Sequence, residues 1–222
     1  MDHDEARARI LDAAEKLFYD RGIQSVGMDE LRTTAGVSLK RLYQCFPAKH
    51  DLVEAYLRRR DTRWRTALAA YVTEHAEAPK ARPLAVFDWL HDWFTAPDFR
   101  GCAFINSFGE LGATSDGVAR VARDHKHALL SYLTDLARGA EIAEPSAVGS
   151  QLSLLVDGAI TTAAITGNPS AAQQARTAAE ALLAAARTAT APGGNRRKPS
   201  PGNQCCGPGP VMEGGAGLDL RA

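Results

Sequence analysis

Apolar positions recur at spacings of three and four through most of the chain, the period of helices with one buried face. Over residues 5–21, Ala6, Ile10, Ala13, Ala14, Leu17 and Phe18 share a face, and Gly22 after Arg21 supplies a left-handed stop. The stretch "GMDELRTTAG" predicts a short second helix, with Gly27 as N-cap and Asp29 and Glu30 at its positive end. Leu31 and Ala35 mark its inner face. Ser38 then caps a third short helix that runs to about Phe46 and is closed by Pro47. A fourth begins near Lys49 and keeps helical spacing to about His75 through Leu52, Val53, Tyr56, Leu57, Trp64, Leu68 and Tyr71.

Beyond "EAPKARP" the same period returns in segments separated by helix breakers. They cover about 84–96, 102–111, 118–138, 146–165 and 170–188. No strand-like alternation competes, so the fold class is all-α. From Pro192 onward the sequence becomes "PGGNRRKPSPGNQCCGPGPVMEGGAGLDLRA", too rich in proline and glycine to build a packed core, and it is read as a disordered tail. The division that follows is an N-terminal three-helix unit over 1–50, a helical body over 51–190 and a tail over 191–222. Nothing approaches a continuous apolar run of about eighteen residues, so no membrane association is expected.

Charge changes the picture locally. Lys+Arg and Asp+Glu are both 26, yet Arg32 to Arg65 holds nine basic residues against Asp51, Glu54 and Asp61. That asymmetry points to an anionic partner for this segment. The four cysteines, Cys45, Cys102, Cys205 and Cys206, lack a paired metal-ligand spacing. The N-terminus has no apolar signal core, and a reduced, cytoplasmic protein is expected. His125 and His127 diverge on one helix, and no phosphate loop, nucleophile elbow or carboxylate pair appears. Neither a cofactor, nor a metal, nor an enzymatic activity is therefore expected.

The two short helices joined by "AGVS" have the pattern of a helix-turn-helix, with Gly36 setting the steep angle and Val37 plugging the joint. Leu42 and Phe46, four apart, should face the core. Lys40, Arg41 and Gln44 then point outward with Tyr43 at the edge. Arginine and lysine donate to guanine edges in a major groove, and glutamine pairs with adenine. Lys49, at the start of the next helix, is placed for a phosphate.

The run "ILDAAEKLFYDRGIQSVGMDELRTTAGVSLKRLYQCFPAKHDLV" resembles the N-terminal DNA-binding domain of the TetR family of transcriptional regulators. The resemblance rests on Ala14, Leu17, Phe18 and Gly22, then on Ala35-Gly36-Val37-Ser38, Leu42-Tyr43, Phe46, Lys49 and Leu52. It implies a DNA-binding head followed by a helical ligand-binding and dimerisation domain. It implies also a homodimer on a double-stranded, pseudo-palindromic operator, most simply a repressor released by a small ligand. The DNA-facing residues it implies are Ser38, Lys40, Arg41, Tyr43, Gln44 and Lys49. Three positions depart from the pattern: Cys45 stands where histidine is common, Leu39 where a polar residue is common, and Gly27 where serine or threonine usually caps.

In the body, Leu152, Leu155, Ala159, Thr162 and Ala163, with Ala178, Leu182 and Ala185, form the expected dimer stripe. The aromatic segment "VFDWLHDWFTAPDFRGCAFINSFGELG" is the expected pocket for a small, mostly apolar or aromatic ligand. Its candidate contacts are Trp89, Trp93, Phe94, Phe104, Asn106, Phe108 and Glu110. The phrase "RGCAFINSFGEL" resembles one found in a subset of TetR-type regulators. Two alternatives stay open: a thiol-based redox-responsive regulator acting through Cys102, and a helical ligand-binding protein with a vestigial head.

Overall fold

The computed structural model describes residues 2–188, and every regular element among them is a helix. In chain order these are α1 (His3–Arg21), α2 (Met28–Ala35), α3 (Leu39–Cys45), α4 (Lys49–His75), α5 (Arg82–Thr95), α6 (Ala103–Leu111), α7 (Asp116–Gly139), α8 (Pro145–Thr166) and α9 (Ala171–Thr188). The expected tail over 191–222 lies outside the described residues.

The ends follow local chemistry. Asp2 accepts the Glu5 N–H at 2.7 Å and starts α1, and Ser38 accepts the Arg41 N–H at 3.2 Å to start α3. α5 begins earlier than the apolar pattern suggests because Pro83 sits in its first turn, where a missing N–H costs nothing. Ser115 does the same for α7 by accepting the Val118 N–H at 3.3 Å. Gly27 precedes α2 without a side-chain cap.

α1, α2 and α3 close around Ile10, Ala14, Phe18, Leu31 and Leu42, all buried, and α1 also packs against α4. Farther along, α4 meets α5 and α7, so one helix belongs to the head at its start and to the body at its end. The body is built on α7–α8, α8–α9 and α5–α9 packing. Leu129, Leu133, Leu152, Val156 and Leu183 fill its centre. At the α7–α8 crossing, the space a Cβ on Gly149 would need lies 2.4 Å from Thr134 Oγ1 and 2.9 Å from the Thr134 Cα, so only glycine lets the helices approach this closely.

By length and composition α8 is apolar enough to cross a membrane, yet Leu152, Val156, Ile160 and Ala163 are buried within the fold, as in the core helix of a globular protein. Of the expected dimer stripe, Leu152, Ala159 and Ala163 are buried in the chain's own core, whereas Thr162, Ala178 and Ala185 are exposed. Because α8 packs against both α7 and α9, its most continuous apolar row turns inward. The solvent-facing row is Leu154, Gly158, Thr161, Thr162 and Ile165, with Leu154 74% and Ile165 80% exposed.

Candidate nucleic-acid interface

The turn between α2 and α3 is set by Gly36, at φ 64°, ψ 38°, a left-handed conformation in which glycine alone pays no Cβ penalty. The N–H of Gly36 returns to the Thr33 carbonyl at 3.2 Å and that of Val37 to the Arg32 carbonyl at 3.0 Å. Val37 is buried in the joint. Leu42 and Phe46 face inward, and Arg7 lies over the Phe46 ring at 4.9 Å. Fixing one face of α3 in this way leaves the other in solvent. Ser38, Lys40 and Gln44 are exposed, Tyr43 is 45% exposed, and Arg41 is half-buried. Leu39 is 43% exposed beside them, so its departure from polarity is presented outward rather than absorbed by the core.

The basic excess read from the sequence is largely consumed internally. Arg32 pairs with Asp29, Arg58 with Glu54, Arg59 with Asp12, Arg60 with Glu15 and Arg65 with Asp61. Their carboxylate partners come partly from α1, outside the segment whose charge was counted. Lys40 and Arg41 on α3 have no ion-pair partner among the described residues, so the positive charge left over is concentrated on the exposed face.

Lys49 also has a partner within the head. Its ammonium donates to the Ile23 carbonyl at 2.6 Å and lies 5.9 Å from the Phe18 ring centroid, and burial draws its pKa down. It reaches the α1–α2 turn and remains partly exposed.

That turn is also gripped from the body. The Glu110 carboxylate, near the end of α6, accepts the N–H of Ile23 at 3.1 Å and of Gln24 at 2.9 Å. The Gln24 side chain returns a bond to the Glu110 carbonyl at 2.8 Å. Gly22, at φ 82°, ψ 155°, turns the chain into this grip, and the space of its missing Cβ lies 3.1 Å from the carboxylate. At the other end of α6, the Tyr19 hydroxyl donates to the Gly101 carbonyl at 2.9 Å and accepts the Arg100 N–H at 3.0 Å. Ile23 is thus held by its N–H from the body and by its C=O from Lys49. Sequence reading missed this joint because its acceptor and donors are more than eighty residues apart and half of them are backbone.

The expected ligand residues are not brought together. Trp89 and Trp93 stack on each other and meet the edge of Trp64 at 5.0 and 5.8 Å, a packing cluster between α4 and α5. Phe94 is buried. Asn106 donates to the Arg100 carbonyl at 3.0 Å, and Glu110 serves the head. Phe104 and Phe108 remain beside an open groove of about 280 Å³ between α6 and α7, with Ile105, Ala122, Arg123 and Lys126. A second cavity of about 270 Å³ lies between α4 and α7, lined by Thr62, Arg65, Leu129 and Tyr132 among others. The helical spacing of the aromatic stripe suits core packing as well as a pocket wall, and here it serves core packing at Trp89, Trp93 and Phe94.

Comparison with known proteins agrees with this architecture. A family model described as bacterial regulatory proteins, tetR family, matches residues 10–56. The transcriptional activator FasR of Mycolicibacterium smegmatis is 39% identical over 94 residues, which cover 40% of this chain and 42% of that protein. The transcriptional regulator TtgR of Pseudomonas putida is 40% identical over 53 residues, covering 24% of this chain and 25% of its own. The chain therefore spans under half the length of these curated relatives. The crystal structure of a TetR-family transcriptional regulator from Streptomyces coelicolor aligns far more completely. It has a TM-score of 0.75, 32% identity, 82% coverage of this chain and 96% of its own. With a helix-turn-helix head joined to a helical body, and similarity across nearly the whole of that structure, the chain belongs to the TetR family of transcriptional regulators.

Proposed function

We propose that the protein is a sequence-specific transcriptional repressor that binds a palindromic operator as a homodimer and leaves it on binding a small, mostly apolar or aromatic ligand. The observation that carries this reading is α3: its inner side is fixed by Leu42 and Phe46, while Lys40, Tyr43 and Gln44 stand in solvent. Ser38 and Arg41 complete the DNA face, and Lys49 acts chiefly by holding the turn behind it. The head corresponds to residues 1–50 and the body to 51–190. Dimerisation uses the outward row of α8, Leu154 to Ile165, with the exposed Ala178 and Ala185 of α9. Two heads then sit about 34–36 Å apart, one helical turn of DNA, in the cytoplasm where the operator is.

The groove beside Phe104 and Phe108 suits the ligand, since it is apolar and opens on α6, the helix that carries Glu110 near its end. A ligand shifts DNA occupancy only by binding one head arrangement better than the other, and α6 links groove to head.

Selection from a random duplex library at moderate salt tests the core of this reading. Recovery of a palindrome supports a dimeric, sequence-specific regulator. Weak, sequence-blind retention overturns it and leaves the head without a reading role.

A further inference from the structure

The body contains a cluster that the DNA-binding reading does not use. Cys102 occupies the N-cap of α6 and is 6% exposed. The buried imidazole of His125, on α7, lies against it, and both line one small cavity with Arg60, Trp64 and Lys126. His125 Nδ1 is 2.7 Å from Asp61 Oδ1 on α4. A carboxylate accepts, so Nδ1 carries the proton and Nε2 is left as the base. Phe104 stacks on the imidazole at 3.7 Å and 12°, and Trp64 meets its edge at 5.3 Å, which fixes the ring. Lys126 Nζ is 4.0 Å from the Cys102 sulfur and 2.5 Å from Asp157 on α8.

We propose that Cys102 is a covalent receptor for small, apolar α,β-unsaturated carbonyl compounds, with His125, oriented by Asp61, as the base that activates its thiol. Four observations converge on this chemistry. The first is the ordered Cys–His–Asp constellation, which is how a thiol is activated as a nucleophile. The second is the cation, Lys126, beside the sulfur. The third is the environment: burial alone raises the thiol's pKa, yet His125 and Lys126 outweigh it and bring it below its ordinary value, while Asp61 and Cys102 overcome burial to raise His125. The fourth is access. The cavity at the sulfur is only about 10 Å³, the scale of one water. Phe104 and Lys126 line both it and the groove of about 280 Å³, so they form the partition between them. An apolar reagent lying along Phe104 and Phe108 reaches the sulfur when Phe104 swings.

The step balances without an oxidant. Cys102 sulfur forms a bond to the β-carbon, the alkene π pair moves toward the carbonyl oxygen, and the resulting enolate takes up the proton that His125 removed from the thiol. The adduct adds bulk at the N-terminus of α6 and strips His125 of its thiol partner while Asp61 still holds its other side. Both α6 and α4 reach the head, so modification is expected to shift it. That last link rests on the DNA-binding reading, whereas the reactive site does not.

The test uses the full chain and N-ethylmaleimide, itself a small α,β-unsaturated carbonyl, with each cysteine followed by peptide mass spectrometry. At pH 6.5 an ordinary thiol is only about 1% ionised. Cys102 should be alkylated roughly tenfold faster than the half-exposed Cys45, at a rate that falls less steeply than that of Cys45 as pH is lowered. The groups that set this profile are Asp61, Arg60 and Arg65 of α4, Lys126 and His125 of α7, and Asp157 of α8. His125→Gln should slow Cys102 about tenfold while leaving Cys45 unchanged. Should that variant not fold, the wild-type pH profile decides alone. Labelling of Cys45 with Cys102 spared, or a Cys102 rate falling tenfold per pH unit like a free thiol, overturns the site. In a second arm, alkylated wild type should lose at least tenfold in affinity for library-selected DNA, and alkylated Cys102→Ser should not. Equal loss in both overturns the coupling. Absence of DNA binding before treatment defeats the DNA-binding reading and leaves the labelling result standing.

Discussion

Arg41 and Lys49 sit eight residues apart and are set different tasks by their surroundings. Arg41 projects from α3 with no carboxylate partner among the described residues, so its fork is available to a base edge. Arg41→Ala is expected to relax discrimination at one base pair by about 1–3 kcal/mol, read from competition between selected and mutated sites. Equal loss on random DNA removes it from the reading set. Lys49 holds the Ile23 carbonyl, so Lys49→Ala should cost about 1 kcal/mol of stability in urea unfolding. The salt slope of DNA binding separates the roles: it falls by about one if Lys49 also reaches a phosphate. Asp61 makes a prediction about acid. Burial acts to raise its carboxyl, but hydrogen bonds from His125 and Arg65 hold it at about 2. A depressed carboxyl stabilises the fold above its unfolded value of about 3.9, and the contribution is lost as pH falls toward 2. His125 has the opposite sign. Its raised value stabilises below about 6.5, and the contribution is lost as pH rises through the folded value. Asp61→Asn should therefore flatten the acid limb of a stability–pH curve between about pH 4 and 2.

At the scale of elements, α8 shows how far the sequence can be read. Its existence and length were legible from apolar content, but which of its faces is buried and which is left in solvent was not. Leu152, Ala159 and Ala163 obey the same three-four spacing whether they pack on α7 and α9 or on a second copy. Only the tertiary arrangement ranks those uses. The head was legible nearly to the residue because Gly36, Ser38 and Pro47 are local signals whose physics acts within a turn. The joint at Glu110 and the Asp61–His125–Cys102 cluster were not, since each assembles groups far apart in sequence. Two glycines on α8 give a paired test. Gly149→Ala forces a Cβ into the Thr134 backbone and should destabilise by about 1–3 kcal/mol in thermal melts. Gly158 has nothing within 4 Å of its missing Cβ, so within one protomer Gly158→Ala should stabilise by up to about 1 kcal/mol. Leu154→Glu together with Ile165→Glu should convert a dimer to a monomer in sedimentation analysis while leaving helix content intact. A persistent dimer would place the interface elsewhere.

Across the whole molecule, head and body meet through α4 and through the ends of α6, and the second contact is of an unusual kind. Glu110→Gln keeps the side chain's shape and one acceptor oxygen but gives up the charge and replaces the other acceptor by a donor facing an N–H. Its expected effect is a weakened response of DNA affinity to any body ligand, with operator sequence preference unchanged. A shift in preference would mean that the joint also tilts α3. The grip of Glu110 falls on the main chain of residues 23 and 24, which every amino acid but proline presents alike. Side chains across the reading helix can therefore be exchanged without disturbing this fastening. A lineage that rewrites its operator keeps its sensor attached, and a head transplanted from a relative should inherit control from this body wherever the backbone path of that turn is preserved.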